Sequence, residues 1–139
     1  MDSVELFNLT PKKMPRKESI LQIKSEAYMV RIIKLYQYLT KEKHENTMAK
    51  QIYRSGTSIG ANIAESLNAQ SALDFIHKLS IALKEANETE YWLKGLYAGN
   101  YINEAGFNSM MSDNNEIIRM LVSSIKTMKQ KHRIDDGKR

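Results

Sequence analysis

Both prolines of this chain, Pro11 and Pro15, precede residue 18, and the more than 120 residues after them contain nothing that forbids a helix. Strand signals are weak over the same stretch. No Asn-Gly or Asp-Gly separates alternating apolar runs, and no β-branched cluster reaches strand length. Apolar residues recur instead at helical spacing. The first segment, about 16–43, carries Ile20, Ile23, Ala27, Val30 and Ile33, then Tyr36 or Leu39. A charged break at 41–46 leads into a second, about 46–68, with Met48, Ile52, Gly56, Ile59, Ile63 and Leu67. The third opens at Ser71 with Asp74 three residues on, an acidic variant of the capping box. Its stripe is Ile76, Leu79, Leu83, Ala86, Leu93 and Leu96, and Gly99-Asn100 marks its stop. The fourth, about 103–131, places Phe107, Met111, Asn114, Ile118, Leu121, Ile125 and Met128 on a heptad seam. Four amphipathic helices with short connections predict an all-α, antiparallel up-and-down four-helix bundle.

Composition narrows the function. A chain of 139 residues has room for one domain, and 42% hydrophobic with 27% charged residues is ordinary globular usage. There is no cysteine, which excludes disulfides, thiolate metal sites and a thiol nucleophile. The longest run without a charged residue is ten residues, Ser55–Ala64, about half of what a membrane span needs. The start of the chain lacks the basic-then-apolar layout of a signal peptide, so the expected setting is cytoplasmic and away from the membrane. The net charge of +5 is unevenly spread: residues 1–17 sum to +2, residues 126–139 to +4 and the middle to −1. The expected organisation is a basic extension over 1–17, the bundle over 18–130 and a charged tail over 131–139.

One stretch is unusual for a helix. In Arg54-Ser-Gly-Thr-Ser-Ile-Gly-Ala-Asn-Ile-Ala-Glu65 the glycines stand four apart on one face, and each costs a helix interior about 1 kcal/mol against Ala. Ser55, Ser58, Ala61 and Ala64 are small as well. Small residues admit a close backbone, so this face packs tightly on a neighbour, either inside the bundle or on another subunit. The glycine spacing fits neither a P-loop nor a dinucleotide fingerprint.

Arg54-Ser-Gly-Thr-Ser-Ile-Gly-Ala-Asn62, then Glu65, then Asp74-Phe-Ile-His-Lys-Leu-Ser-Ile-Ala-Leu-Lys-Glu-Ala-Asn-Glu-Thr-Glu-Tyr-Trp-Leu93 resembles the bacterial four helix bundle protein family, the 23S rRNA-intervening-sequence or S23-type ribosomal proteins. The close match covers about residues 46–103, with a looser helical match over 20–45 and 104–130. The resemblance implies an up-and-down four-helix bundle and, because relatives form ring-like homopentamers, a homopentameric ring. The motif residues Arg54, Ser55, Gly56, Ser58, Gly60, Asn62, Glu65, Tyr91 and Trp92 are expected to serve packing.

Catalytic constellations are wanting. Di-iron bundles use Glu-x-x-His on two helices, and here Asp74-x-x-His77 stands alone, which reads as a surface pair. No Gly-x-Ser-x-Gly elbow is present, and Ser55 and Ser58 are expected to bond their own backbone. Glu85 and Glu88 read as a solvated helix edge, with Lys84 four residues before Glu88. The sequence therefore predicts no enzyme, no metal and no cofactor. Asn62 and Asn114 lie beside or on apolar seams, where an Asn either fixes register or sits as a satisfied flank residue. Tyr91-Trp92 and Tyr97-x-x-x-Tyr101, near the end of the third helix, suit core edges or subunit interfaces, with base stacking as the sharper alternative.

The candidate contacts for a polyanion are Lys12, Lys13, Arg16 and Lys17 at one end of the chain and Lys126, Lys129, Lys131 and Arg133 at the other. Lys24, Arg31 and Lys34 add a basic edge on the first helix, and Lys50 and Arg54 one on the second. A symmetric ring would repeat each of them. The expected function is a non-enzymatic self-assembling scaffold that binds RNA or DNA with low sequence specificity. The alternative is a scaffold for a protein partner.

Overall fold

The structure is a computed structural model that describes residues 17–133. It contains four helices, α1 (Lys17–Lys41), α2 (Thr47–Ser66), α3 (Ala72–Ala98) and α4 (Glu104–Lys131), and no strand among the described residues. Loops of five residues join them. Each helix packs on its neighbours, α1 on α2, α2 on α3, α3 on α4 and α4 back on α1, while the diagonal pairs stay apart. That is the square section of a four-helix bundle, and short loops leave consecutive helices antiparallel.

The helix ends have local causes. At α3, the Ser71 hydroxyl accepts from the Asp74 N–H at 3.0 Å, and the Asp74 carboxylate accepts from the Gln70 N–H at 3.3 Å. At α4, the Asn103 side chain accepts from the Gly106 N–H at 2.8 Å. Helix α2 is capped by other means. Asn46 in the N-cap position makes no side-chain capping bond; instead the buried Glu45 carboxylate accepts from the N–H groups of Thr47, Met48 and Ala49 at 3.2, 3.0 and 2.8 Å. A carboxylate there satisfies three orphan donors and meets the positive end of the helix dipole. His44, at φ 54°, turns the chain so that Glu45 can fold back.

The core is assembled from Leu21, Tyr28, Ile32 and Leu39 of α1, Ile52, Ile59 and Ile63 of α2, Leu79, Leu93 and Leu96 of α3, and Ile117 and Leu121 of α4. The stripes read for α2, α3 and α4 fall on this core in the main, although Leu67 is exposed. The stripe read for α1 reaches the core only at its end, where Leu39 is buried and Tyr36 packs against it. Ile20, Ile23, Ala27 and Val30 face outward, with Ile23 59% and Val30 46% exposed. At 100° per residue the outer stripe lies roughly 150° around the helix from the buried one, so α1 is apolar on two nearly opposite faces.

The glycine face of α2 turns inward. A Cβ on Gly56 would lie 2.7 Å from Cδ1 and Cγ1 of Ile32, whereas a Cβ on Gly60 would meet Ser25 at an ordinary 3.4 Å. The close neighbour is therefore α1 of the same chain. On the side facing α3, buried Ser55 accepts a hydrogen bond from the Thr89 hydroxyl at 2.9 Å. Asn114 of α4 is fully buried and donates to the Ala86 carbonyl of α3 at 3.0 Å. Asn62 donates back to Ser58 of its own helix at 2.9 Å and only flanks the core. Between the two Asn residues, Asn114 thus holds the cross-helix position and Asn62 the flank.

Candidate nucleic-acid interface

Antiparallel packing sorts side-chain types between the two ends of the bundle. One end collects the C-terminal parts of α1 and α3 and the N-terminal parts of α2 and α4, and it carries Tyr36, Tyr38, Tyr53, Tyr91, Trp92, Tyr97, Tyr101 and Phe107. The other end receives the start of α1 and the finish of α4. There Lys126, Lys131 and Arg133 are exposed without an ion pair among the described residues, and half-buried Lys129 lies between them. Cations in the last turns of α4 also suit the negative end of its dipole. Lys12, Lys13 and Arg16 lie outside the described residues, and Lys17 opens α1 at this same end.

The cations of the first two helices are placed differently. Lys24 pairs with Glu116 of α4 at 3.1 Å. Arg31 pairs with Asp113 at 2.6 Å and donates to the Ser109 hydroxyl at 2.7 Å. Arg54 reaches across to α3, donating to Glu85 at 3.2 Å and to Glu88. Burial pushes the Glu88 carboxyl up, but hydrogen bonds from the Trp92 indole and the Arg54 guanidinium outweigh it and hold the group below its ordinary value. The Glu88 hydrogen bond in turn raises Arg54. The edge expected to be merely solvated is thus an α2–α3 clasp, and its cation is already neutralised. Of the five basic residues read on these helices, Lys34 and Lys50 are left exposed without an ion pair among the described residues.

The remaining motif residues make local contacts. Ser58 bonds the Arg54 carbonyl at 2.7 Å, and Glu65 pairs with Lys78 at 3.0 Å. Trp92 is half-buried, and Tyr91, 66% exposed, meets its ring edge-on with centroids 5.1 Å apart. His77 is exposed, and no cluster of three or more His, Asp or Glu residues among the described residues could hold a metal. Among the described residues, no helix is long and apolar enough to cross a membrane. Sequence reading missed the Glu45 cap, the Thr89–Ser55 bond and the engagement of Lys24, Arg31 and Arg54. Only the acidic residues of distant segments carried that last signal.

These features define a small helical-bundle protein that carries a cluster of exposed basic residues where its last helix finishes. The chain belongs to the 23S rRNA-intervening sequence protein family, whose model matches residues 17–123. A comparison with curated proteins gives no match. Among solved structures, the chain is similar to a protein of unknown function from the S23 ribosomal protein family of Bacteroides thetaiotaomicron VPI-5482. The two share 52% identity with a TM-score of 0.79, over 80% of this chain and 99% of that one.

Proposed function

We propose that this protein is a non-enzymatic scaffold that assembles with copies of itself, as a homopentameric ring, and binds RNA or DNA with low sequence specificity through its repeated basic ends. The observation that carries the reading is the basic cluster at the finish of α4. Lys126, Lys131 and Arg133 stand uncommitted at the end where the basic extension joins α1, while Lys24, Arg31 and Arg54 are spent on ion pairs. The family's description, which concerns sequences within 23S rRNA, agrees with an RNA ligand. Self-assembly is supported by the outward apolar stripe of α1, which single-chain packing leaves uncovered. The same stripe favours the second reading, a scaffold for a different protein.

Fluorescence anisotropy of labelled RNA and DNA across salt tests the proposal. Each neutralised phosphate contributes about −0.7 to −0.9 to the slope of log affinity against log salt. Replacing Lys126, Lys131 and Arg133 by Gln should flatten the slope by about 2 units per chain engaged, whereas Lys34→Gln should leave it nearly unchanged. Absence of binding at low salt by the full chain would defeat the nucleic-acid reading in favour of a protein ligand.

A further inference from the structure

At the end opposite Lys126, Lys131 and Arg133, α1, α3 and the turn into α4 enclose a cleft of about 700 Å³. Tyr38, Tyr97 and Tyr101 line it, with Lys43, Asn100 and Glu104 among its polar groups. Tyr97 is held as a flat platform: Phe107 stacks on one of its faces with centroids 4.6 Å apart and planes 16° from parallel. Phe107 is not part of the cleft wall, and Tyr97, 39% exposed, is. Tyr101 is fixed by Gly99, where a Cβ would stand 3.1 and 3.2 Å from its ring carbons. The Lys43 ammonium lies 6.0 Å from the Tyr38 ring centroid. Glu104 is exposed in the first turn of α4 and makes no ion pair among the described residues. The Asn103 oxygen beside it is already engaged as the cap of α4.

We propose that this cleft binds the base of a guanine nucleotide, stacked on Tyr97, with Glu104 at its Watson–Crick edge and Lys43 at its phosphate. Any base offers a π-face to an aromatic platform, so stacking alone does not choose among them. The carboxylate does. An ionised Glu only accepts, and guanine presents two adjacent donors, N1–H and the 2-amino group, to the two carboxylate oxygens. Adenine and cytosine place an acceptor next to their single amino group. Uracil offers one N–H between two carbonyls, which a carboxylate repels. The inference goes beyond the polyanion reading, because this cleft lies at the other end of the bundle and needs no polymer.

The ligand is either a free nucleotide or an unpaired guanine in a strand, and the test has an arm for each. NMR titrations of the full chain with GMP, UMP and ribose 5-phosphate follow the tyrosine ring signals. Anisotropy compares a single-stranded oligouridine with the same strand carrying one guanosine. The expected result is a guanine preference of at least about tenfold in one arm, with shifts at Tyr97 and Tyr101 and none of comparable size from ribose 5-phosphate. Tyr97→Ala should weaken guanine binding about fivefold to a hundredfold, and Tyr97→Phe, which keeps the ring, should retain it. Glu104→Gln separates the two readings by sign. It removes a negative charge and so favours phosphate generally, yet it should abolish the preference for guanine over uracil. A response to GMP alone assigns a free nucleotide, and a preference seen only in the strand assigns unpaired nucleic acid. The proposal is overturned if neither arm shows a guanine preference, if Tyr97→Ala binds guanine as tightly as the unaltered chain, or if the preference survives in Glu104→Gln. Loss of polymer binding on neutralising the α4 cations, with the guanine response intact, would bear on the polyanion reading alone.

Discussion

At the scale of single residues, Gly56 and Gly60 look equivalent in sequence and are not in space. A methyl on Gly56 would drive into Ile32, and that side chain is fully buried with no room to retreat. A methyl on Gly60 would meet Ser25 at 3.4 Å, ordinary contact distance. Gly56→Ala should therefore destabilise the fold by about 1–3 kcal/mol through overpacking, and Gly60→Ala should be neutral or stabilising by up to about 1 kcal/mol from helix propensity. Urea midpoints of the two variants check this, and equal costs would refute the assignment of Gly56 as the contact point. Tyr28 poses the reverse case. Its hydroxyl is buried without a hydrogen-bond partner among the described residues, and burial together with nearby Asp113 pushes the phenol up, against the opposing effect of Arg31. Removing an orphaned buried hydroxyl relieves a desolvation cost instead of breaking a bond. Tyr28→Phe should hence leave the urea midpoint unchanged or raise it, and a loss above about 1 kcal/mol would mean that the hydroxyl has a partner such as bound water.

At the scale of elements, α1 is where the sequence was least legible. Ile20, Ile23, Ala27 and Val30 form as regular a stripe as Leu21, Tyr28, Ile32 and Leu39, and periodicity has no means of ranking two apolar faces on one helix. Tertiary packing decided for the second, whose Ile32 fits against the bare backbone at Gly56. Helix α2 was legible for the complementary reason: its glycines and serines have no use on a solvated face. Of the candidate site, the cations were visible but their engagement was not, since Arg31 meets a carboxylate 82 positions away and Arg54 meets one 34 away. The unused stripe of α1 carries its own prediction. Ile23→Glu with Val30→Glu changes exposed positions, so each should alter monomer stability by less than about 0.5 kcal/mol. If this face joins copies of the chain, the pair should reduce the mass in sedimentation velocity to that of one chain, 16.0 kDa. Leu21→Glu, on the buried face, should instead unfold the bundle. An unaltered assembly in the double variant would place the self-contact elsewhere.

At the scale of the whole molecule, the bundle is not equally closed all round. Helices α2 and α3 are joined by the buried Thr89–Ser55 bond and by the Arg54 clasp to Glu85 and Glu88. Of the packed pairs, helices α1 and α4 touch least, and the ion pairs between them, Lys24–Glu116 and Arg31–Asp113, have side chains about 40% exposed. Pairs of that exposure contribute about 0–1 kcal/mol each and weaken with salt. Among the described residues, three buried polar atoms without partners, on Tyr28, Asn114 and Ser124, also belong to α1 and α4. The cheapest partial opening of the fold is therefore release of α1 from α4, with the α2–α3 pair opening last. Native-state hydrogen exchange should find α1 amides exchanging ahead of those in α2 and α3, and sooner still at raised salt. Assembly supplies a second lever. A copy docked on the outer stripe of α1 would bind the closed form and not the open one, so opening should become rarer as protein concentration rises. Protection in α1 that grows with concentration, while α3 stays constant, would tie the loosest seam of the bundle to its self-contact. Protection in α1 that ignores concentration would separate the two and leave the seam a property of the single chain.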